Sequence, residues 1–166
     1  MTFDEFKDII QEKFPETTAL QMDRFKKMDA LYRDWNAKIN VVSRKDIDEL
    51  YRHHVLHSLG IAAYLKTNMP DVYDRLRGEG PYSVAAPMKI LDLGTGGGFP
   101  GIPLAVMFPH AEFTLCDSIG KKTIVADAVA KGLELENVKV VNARAESLPE
   151  TFDFVVSRAV TSLDNF

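Results

Sequence analysis

Residues 89 to 103 read Lys89-Ile90-Leu91-Asp92-Leu93-Gly94-Thr95-Gly96-Gly97-Gly98-Phe99-Pro100-Gly101-Ile102-Pro103. A compact apolar run from Met88 to Leu93 leads into glycines at 94, 96 and 98, and a helix-like stretch, Gly101 to Phe108, follows. Glycines between a strand and a helix supply positive φ and let a ligand approach the backbone closely. Downstream the alternation repeats: apolar runs at Glu112 to Cys116, Val138 to Val141 and Phe152 to Val156, with a helix-like segment at Ile119 to Lys131 that Gly132 is expected to close. Strands alternating with helices pair in parallel, so residues 88 to 166 read as the first half of a doubly wound α/β sheet.

In such a sheet ligands settle at the carboxyl ends of the strands. Asp117 falls there, 23 residues after Gly94, where a carboxylate can accept two hydrogen bonds from a ribose diol. A nucleoside ligand is therefore expected, and two kinds compete. Gly96, Gly98 and Gly101 satisfy the dinucleotide fingerprint. Against a dinucleotide, Asp92 lies just before the first glycine, where it would repel a pyrophosphate but help hold the loop and the ammonium end of a methionine moiety. Ala145-Glu146 supplies a small residue and a carboxylate for an adenine edge, and few residues remain for the second half of a dinucleotide domain. S-Adenosylmethionine is favoured, with glycines that serve only a tight turn as the plain alternative. The functional readings left open are a methyltransferase, a small NAD-dependent oxidoreductase and a non-catalytic adenosine-nucleotide binding module.

Upstream the apolar period is helical. Thr2 with Glu5 makes a capping box before Phe3, Phe6, Ile9 and Ile10, and Thr17 or Thr18 caps a second segment with a stripe of Leu20, Phe25, Met28, Leu31, Tyr32 and Trp35. A third helix is expected from near Asp46 through Leu50, His54, Ile61 and Leu65, with Asn36 and Asn40 capping the turn before it. Residues 1–68 thus form a helical cap, 69–87 a Pro- and Gly-marked connector, and 88–166 a Rossmann-like core.

Composition narrows the classes. The 166 residues are 46% hydrophobic and 27% charged, and a domain of this size buries roughly 70% of its unfolded surface. No apolar run approaches a membrane span, the N-terminus lacks a signal pattern, and the single cysteine, Cys116, can form no internal disulfide; the cytoplasm is the expected compartment. A net charge of −4 argues against coating nucleic acid by bulk charge. Any RNA contact must be local, and residues 24 to 52 carry eight basic against five acidic side chains, which fits either an RNA-facing strip or a solvated helix face. His53 and His57 share the i, i+4 spacing of a metal pair, yet no third ligand lies nearby in sequence, so no metal is expected.

The string Asp92-Leu93-Gly94-Thr95-Gly96-Gly97-Gly98-Phe99-Pro100-Gly101-Ile102-Pro103-Leu104-Ala105, with Asp117-Ser118-x-x-Lys121-Lys122, Ser157-Arg158-Ala159 and the upstream Trp35-Asn36-x-x-Ile39-Asn40 and Arg52-His53-His54, resembles the glucose-inhibited division protein B family over about residues 17 to 166. The resemblance implies a class I methyltransferase that moves a methyl group from S-adenosylmethionine to ring nitrogen seven of a guanine in bacterial small-subunit ribosomal RNA. It implies cofactor contacts at Gly94, Phe99, Ala145, Glu146 and Arg158, a ribose carboxylate at Asp117, and basic positions near cofactor or RNA at Arg144 and Lys121. No catalytic residue is singled out, because the guanine nitrogen carries no proton to remove. The expected partner is the ribosomal RNA or the ribosomal particle, met by a monomer. Two departures stand out: His57-Ser58 replaces an Asp-Ser pair, and the chain stops at Phe166, some forty residues before the family's pattern does, as expected of a truncated chain. The Asn-Pro-Pro-Tyr signature of exocyclic-amine methylation is absent after the fourth strand, where Ser157-Arg158-Ala159-Val160 stands.

Overall fold

A computed structural model describes residues 1–158. Four parallel strands, β1 (Lys89–Leu93), β2 (Glu112–Asp117), β3 (Val138–Asn142) and β4 (Phe154–Ser157), form one sheet in the order β3-β2-β1-β4. Ile90 pairs with Phe113 on one side and with Phe154 on the other. The chain therefore grows outward from β1 through β2 to β3, then returns across β1 to place β4, which makes the carboxyl ends of β1 and β4 the topological switch point.

The helices preceding the sheet are α1 (Phe3–Lys13), α2 (Ala19–Asn36), α3 (His57–Asn68) and α4 (Pro70–Arg77), and α5 (Gly101–Met107) and α6 (Gly120–Gly132) lie between the first three strands. Local chemistry fixes the starts of the first two. Thr2 and Glu5 exchange side-chain-to-backbone bonds of 3.2 and 2.8 Å, and Thr18 does the same with Gln21. The buried Gln21 also donates to the carbonyls of Val106 and Met107, and Arg24 donates to those of Leu133 and Glu134. These bonds satisfy the last two carbonyls of α5 and the two carbonyls just past α6, and tie α2 across both helices. Phe6, Phe25, Met28, Tyr32, Leu59, Ile102, Leu104 and Phe113 join one continuous core, each full burial contributing roughly 1.5–3 kcal/mol.

Some expectations are corrected. Leu20 is 59% exposed, because the buried stripe of α2 is Gln21, Phe25, Met28 and Tyr32, and Leu20 sits one residue out of that phase. Gly132 does not close α6 as a left-handed cap; Leu133 is the C-cap and Glu134 takes the positive φ of 57°. A Cβ on Gly132 would stand 2.8 Å from Leu31, so this glycine serves the close approach of α2 to α6. The third helix is reached through a 3₁₀ turn, Ile47–Glu49, and a π-helical stretch, Leu50–Leu56, that runs into α3. Between β3 and β4 the crossover holds only a 3₁₀ turn, Ala145–Ser147, and Val155 on β4 is 56% exposed. Ala159 and Val160, quoted with the Ser157-Arg158 motif, lie outside the described residues.

Candidate functional site

The carboxyl ends of β1, β2, β3 and β4 bring the expected residues to one edge. After β1 the chain turns through Gly94, Gly96 and Gly98 with φ of 70°, 59° and 116°, angles that a residue with a Cβ rarely adopts. The N–H groups of Gly94 and Thr95 both donate to the Cys116 carbonyl, at 2.9 and 3.0 Å, so the loop hangs from the end of β2.

Two carboxylates hold it from opposite sides. Asp92 is fully buried, and its Oδ2 accepts from Thr95 Oγ1 at 2.7 Å and from the Gly101 N–H at 2.8 Å, closing the loop on itself. Burial raises its pKa to about 6, against the pull of those two hydrogen bonds and of the Arg158 charge. Its Oδ1 is buried without a hydrogen-bond partner, so no opening onto a ligand's ammonium is seen there; the loop-holding half of its expected role is the one visible. Asp117 Oδ2 accepts from the Gly96 N–H at 2.8 Å and its Oδ1 from the Ile119 N–H at 2.9 Å, which leaves each oxygen a second lone pair.

The glycines divide by surroundings. A Cβ on Gly96 would meet nothing within 4 Å, so open space stands over its backbone. At Gly98 the same atom would lie 2.5 Å from Ile102 Cγ1 and 2.8 Å from the Tyr32 hydroxyl, at Gly97 2.7 Å from Val41, and at Gly101 2.6 Å from Leu115. Gly96 gives access, whereas these three give close packing, and Gly101 does so between helix and strand.

Ala145 and the exposed Glu146 follow β3 in the 3₁₀ turn, with Arg144 Nη1 3.9 Å from Glu146 Oε1. Lys121 is exposed in the first turn of α6. Arg158, after β4, packs its guanidinium 5.3 Å from the centre of the Phe99 ring. In the segment expected to be a basic strip, three of the eight basic side chains pair with carboxylates of the chain: Lys27 with Asp23, Arg33 with Asp29 and Asp48, and Arg52 with Glu49. A cleft of about 570 Å³ there is lined by Arg33, Asn36, Lys38, Asn40 and Arg44 among others. His53 Nδ1 lies 3.3 Å from Asp46, and among the described residues no group of three acidic, His or Cys side chains is placed to hold a metal. No helix of those residues is long and apolar enough to cross a membrane.

Sequence reasoning missed several supports of the loop. The Tyr32 hydroxyl donates to the Gly97 carbonyl at 2.9 Å and its ring stacks on Phe99 at 4.8 Å. Asn36 caps the turn as expected, accepting from the N–H groups of Val41 and Val42 and donating to the Val42 carbonyl; what the sequence did not show is that this turn sets Val41 against Gly97. Periodicity marked Tyr32 only as core, and nothing local in sequence signals its hydroxyl bond to a residue 65 positions away.

A family model for GidB, rRNA small subunit methyltransferase G, matches residues 21–166. A protein named ribosomal RNA small subunit methyltransferase G from Porphyromonas gingivalis is 53% identical over 94% of this chain and 63% of its own length. Proteins of the same name from Flavobacterium psychrophilum and Christiangramia forsetii are 54% and 52% identical over 95% and 96% of this chain, each match covering 67% of the relative. The chain thus spans about two thirds of the length of the curated relatives it matches.

Proposed function

Because this chain belongs to the rRNA small subunit methyltransferase G family, we propose that it transfers a methyl group from S-adenosylmethionine to ring nitrogen seven of a guanine in small-subunit ribosomal RNA. The observation that carries the reading is Asp117 locked to the Gly96 N–H beside open space over Gly96. The residues present fit that cofactor: a backbone that a ligand can touch, and a half-buried carboxylate with lone pairs left for a ribose diol. When bound, S-adenosylmethionine supplies a sulfonium methyl group whose S–C bond breaks as the nitrogen–carbon bond forms, the positive charge passing from sulfur to the base.

The protein's part is to bind and orient. The accepting nitrogen has an in-plane lone pair and no proton, so no side chain must act as a base before attack. Holding the two reactants in line contributes roughly 7–11 kcal/mol by proximity and orientation. Gly94, Gly96, Phe99, Asp117, Ala145 and Glu146 form the cofactor side of this arrangement, and Asp92 and Gly98 keep its loop in shape. Arg158 serves as an anion clamp for the cofactor's carboxylate. Arg144 and Lys121, exposed at the same edge, face RNA phosphates. In this reading residues 1–68 are a helical cap, 69–87 a connector, and the cofactor core begins at residue 88; the protein acts as a cytoplasmic monomer.

The test is transfer of labelled methyl from S-adenosylmethionine to small-subunit RNA, offered naked and as the assembled particle, followed by digestion to nucleosides. Label in 7-methylguanosine supports the proposal. Label in another nucleoside, or in none with either substrate, removes it.

A further inference from the structure

His54 lies in the π-helical stretch Leu50–Leu56, and its Nδ1 stands 2.7 Å from Nη2 of Arg158. The backbone carbonyl of His53 accepts from Nη1 of the same guanidinium at 3.1 Å. These two bonds join the helical segment to the end of β4, which borders the switch point. All three planar groups meet on one ring: His54 lies 5.2 Å, Tyr32 4.8 Å and the Arg158 guanidinium 5.3 Å from the centre of Phe99, the first aromatic after the glycine loop.

The chemistry of this bond is one-sided. A guanidinium only donates, so the imidazole nitrogen facing it must be the acceptor and the ring must be neutral with its proton on Nε2. Burial, and next the Arg158 charge, lower the His54 pKa to about 4, which keeps that state at neutral pH. Nε2 is buried without a hydrogen-bond partner, with Asp46 Oδ2 4.0 Å away, a carboxylate that favours a proton on that side of the ring. A ring kept only to fill space against Phe99 would need no acceptor aimed at an arginine.

We infer that His54 is a positioning residue for cofactor binding: through neutral Nδ1 it holds the Arg158 guanidinium over the Phe99 ring, within electrostatic reach of Asp92, so that the remaining N–H donors are fixed for the cofactor's carboxylate. This rests on the S-adenosylmethionine reading above. Arg158 has many rotamers, and ordering it before the ligand arrives removes part of the entropy that binding would otherwise cost.

Calorimetric titration with S-adenosylmethionine and S-adenosylhomocysteine tests the inference on the unaltered protein, His54→Phe, His54→Gln, Arg158→Ala and the double variant His54→Phe/Arg158→Ala. His54→Phe keeps the ring and loses the acceptor, and a hydrogen bond to a charged group is large enough that affinity should fall about tenfold or more. His54→Gln, whose amide oxygen accepts, should recover most of that loss, and His54→Phe should add little once Arg158 is gone. Affinity of His54→Phe within twofold of the unaltered protein, no recovery in His54→Gln, or losses that multiply in the double variant would overturn it. If His54→Phe does not fold, His54→Leu takes its place beside His54→Gln with the same criteria. Failure of the unaltered protein to bind either ligand overturns the cofactor reading itself, and is distinguished from failure of the His54 inference by appearing before any substitution.

Discussion

Replacing Tyr32 by Phe isolates one bond between the helices and the glycine loop. The ring is fully buried and stays stacked on Phe99, so only the hydroxyl is lost. That hydroxyl donates to the Gly97 carbonyl at 2.9 Å, and no other donor among the described residues reaches this oxygen. Leaving a buried carbonyl unpartnered costs about 1–3 kcal/mol. The vacated space is oxygen-sized, on the order of 10 Å³, and adds only about 0.2 kcal/mol, so the unpartnered acceptor dominates. For a chain of 166 residues, each kcal/mol moves the melting temperature by about 2–4 °C, and a loss near 2 kcal/mol gives a fall of about 4–8 °C. Urea unfolding should show a lower midpoint with an unchanged slope. Tyr64→Phe, at a tyrosine 60% exposed, is the control and should stay within about 0.5 kcal/mol of the unaltered protein. Equal stability of Tyr32→Phe and the control would refute the reasoning that the hydroxyl bond, rather than the ring, is what joins α2 to the loop.

Other outcomes follow from the same geometry. Gly101→Ala would press a methyl group to 2.6 Å from Leu115 and 2.7 Å from Asp92 Oδ2 and should lose about 1–3 kcal/mol in urea unfolding; Gly96→Ala, with open space but φ of 59°, should lose about 1–2 kcal/mol while abolishing cofactor binding by titration. Asp92 has a folded pKa of about 6 against an ordinary 3.8, so the fold favours its protonated form: its ionisation costs nothing near pH 3, costs progressively more as pH rises from about 4 to 6, and costs a constant amount above that. Asp92→Asn should therefore remove a fall in stability of up to roughly 3 kcal/mol across that window, read as the difference between the two proteins' urea midpoints at pH 4 and pH 7; a difference independent of pH would show that burial does not raise the pKa of this carboxyl above its unfolded value. Asn36→Ala removes three bonds to the turn ending at Val42 and should speed proteolytic cleavage between residues 37 and 46, whereas unchanged cleavage would mean that the turn is held from elsewhere.

How much could be read in advance tracks how local each cause is. The parallel strands, the glycine loop and the caps at Thr2 and Thr18 depend on neighbours within a few residues, and they stand where the pattern puts them, to within a residue or two at the ends. Leu20, by contrast, is apolar and nearly in phase, and only the packing of α2 on α5 and α6 reveals which face is buried. Gly132 has the position of a cap but the role of a contact, because what matters is Leu31 on another helix. A π-helical stretch carries no periodic signature in seven residues, so Leu50–Leu56 reads as ordinary helix. At the site, Gly96 and Asp117 were legible from motif spacing, while the supports supplied by Tyr32, Asn36 and His54 depend on bonds made by single polar atoms. Such bonds leave no periodic trace.

The most direct measurement of the central claim is parallel calorimetric titration of this 166-residue chain with S-adenosylmethionine, S-adenosylhomocysteine and NADH. The account expects micromolar binding of the first two, lost in Gly96→Ala, and no heat with NADH. Binding of NADH without the other two, or no binding of S-adenosylmethionine by a chain shown to be folded, would contradict it.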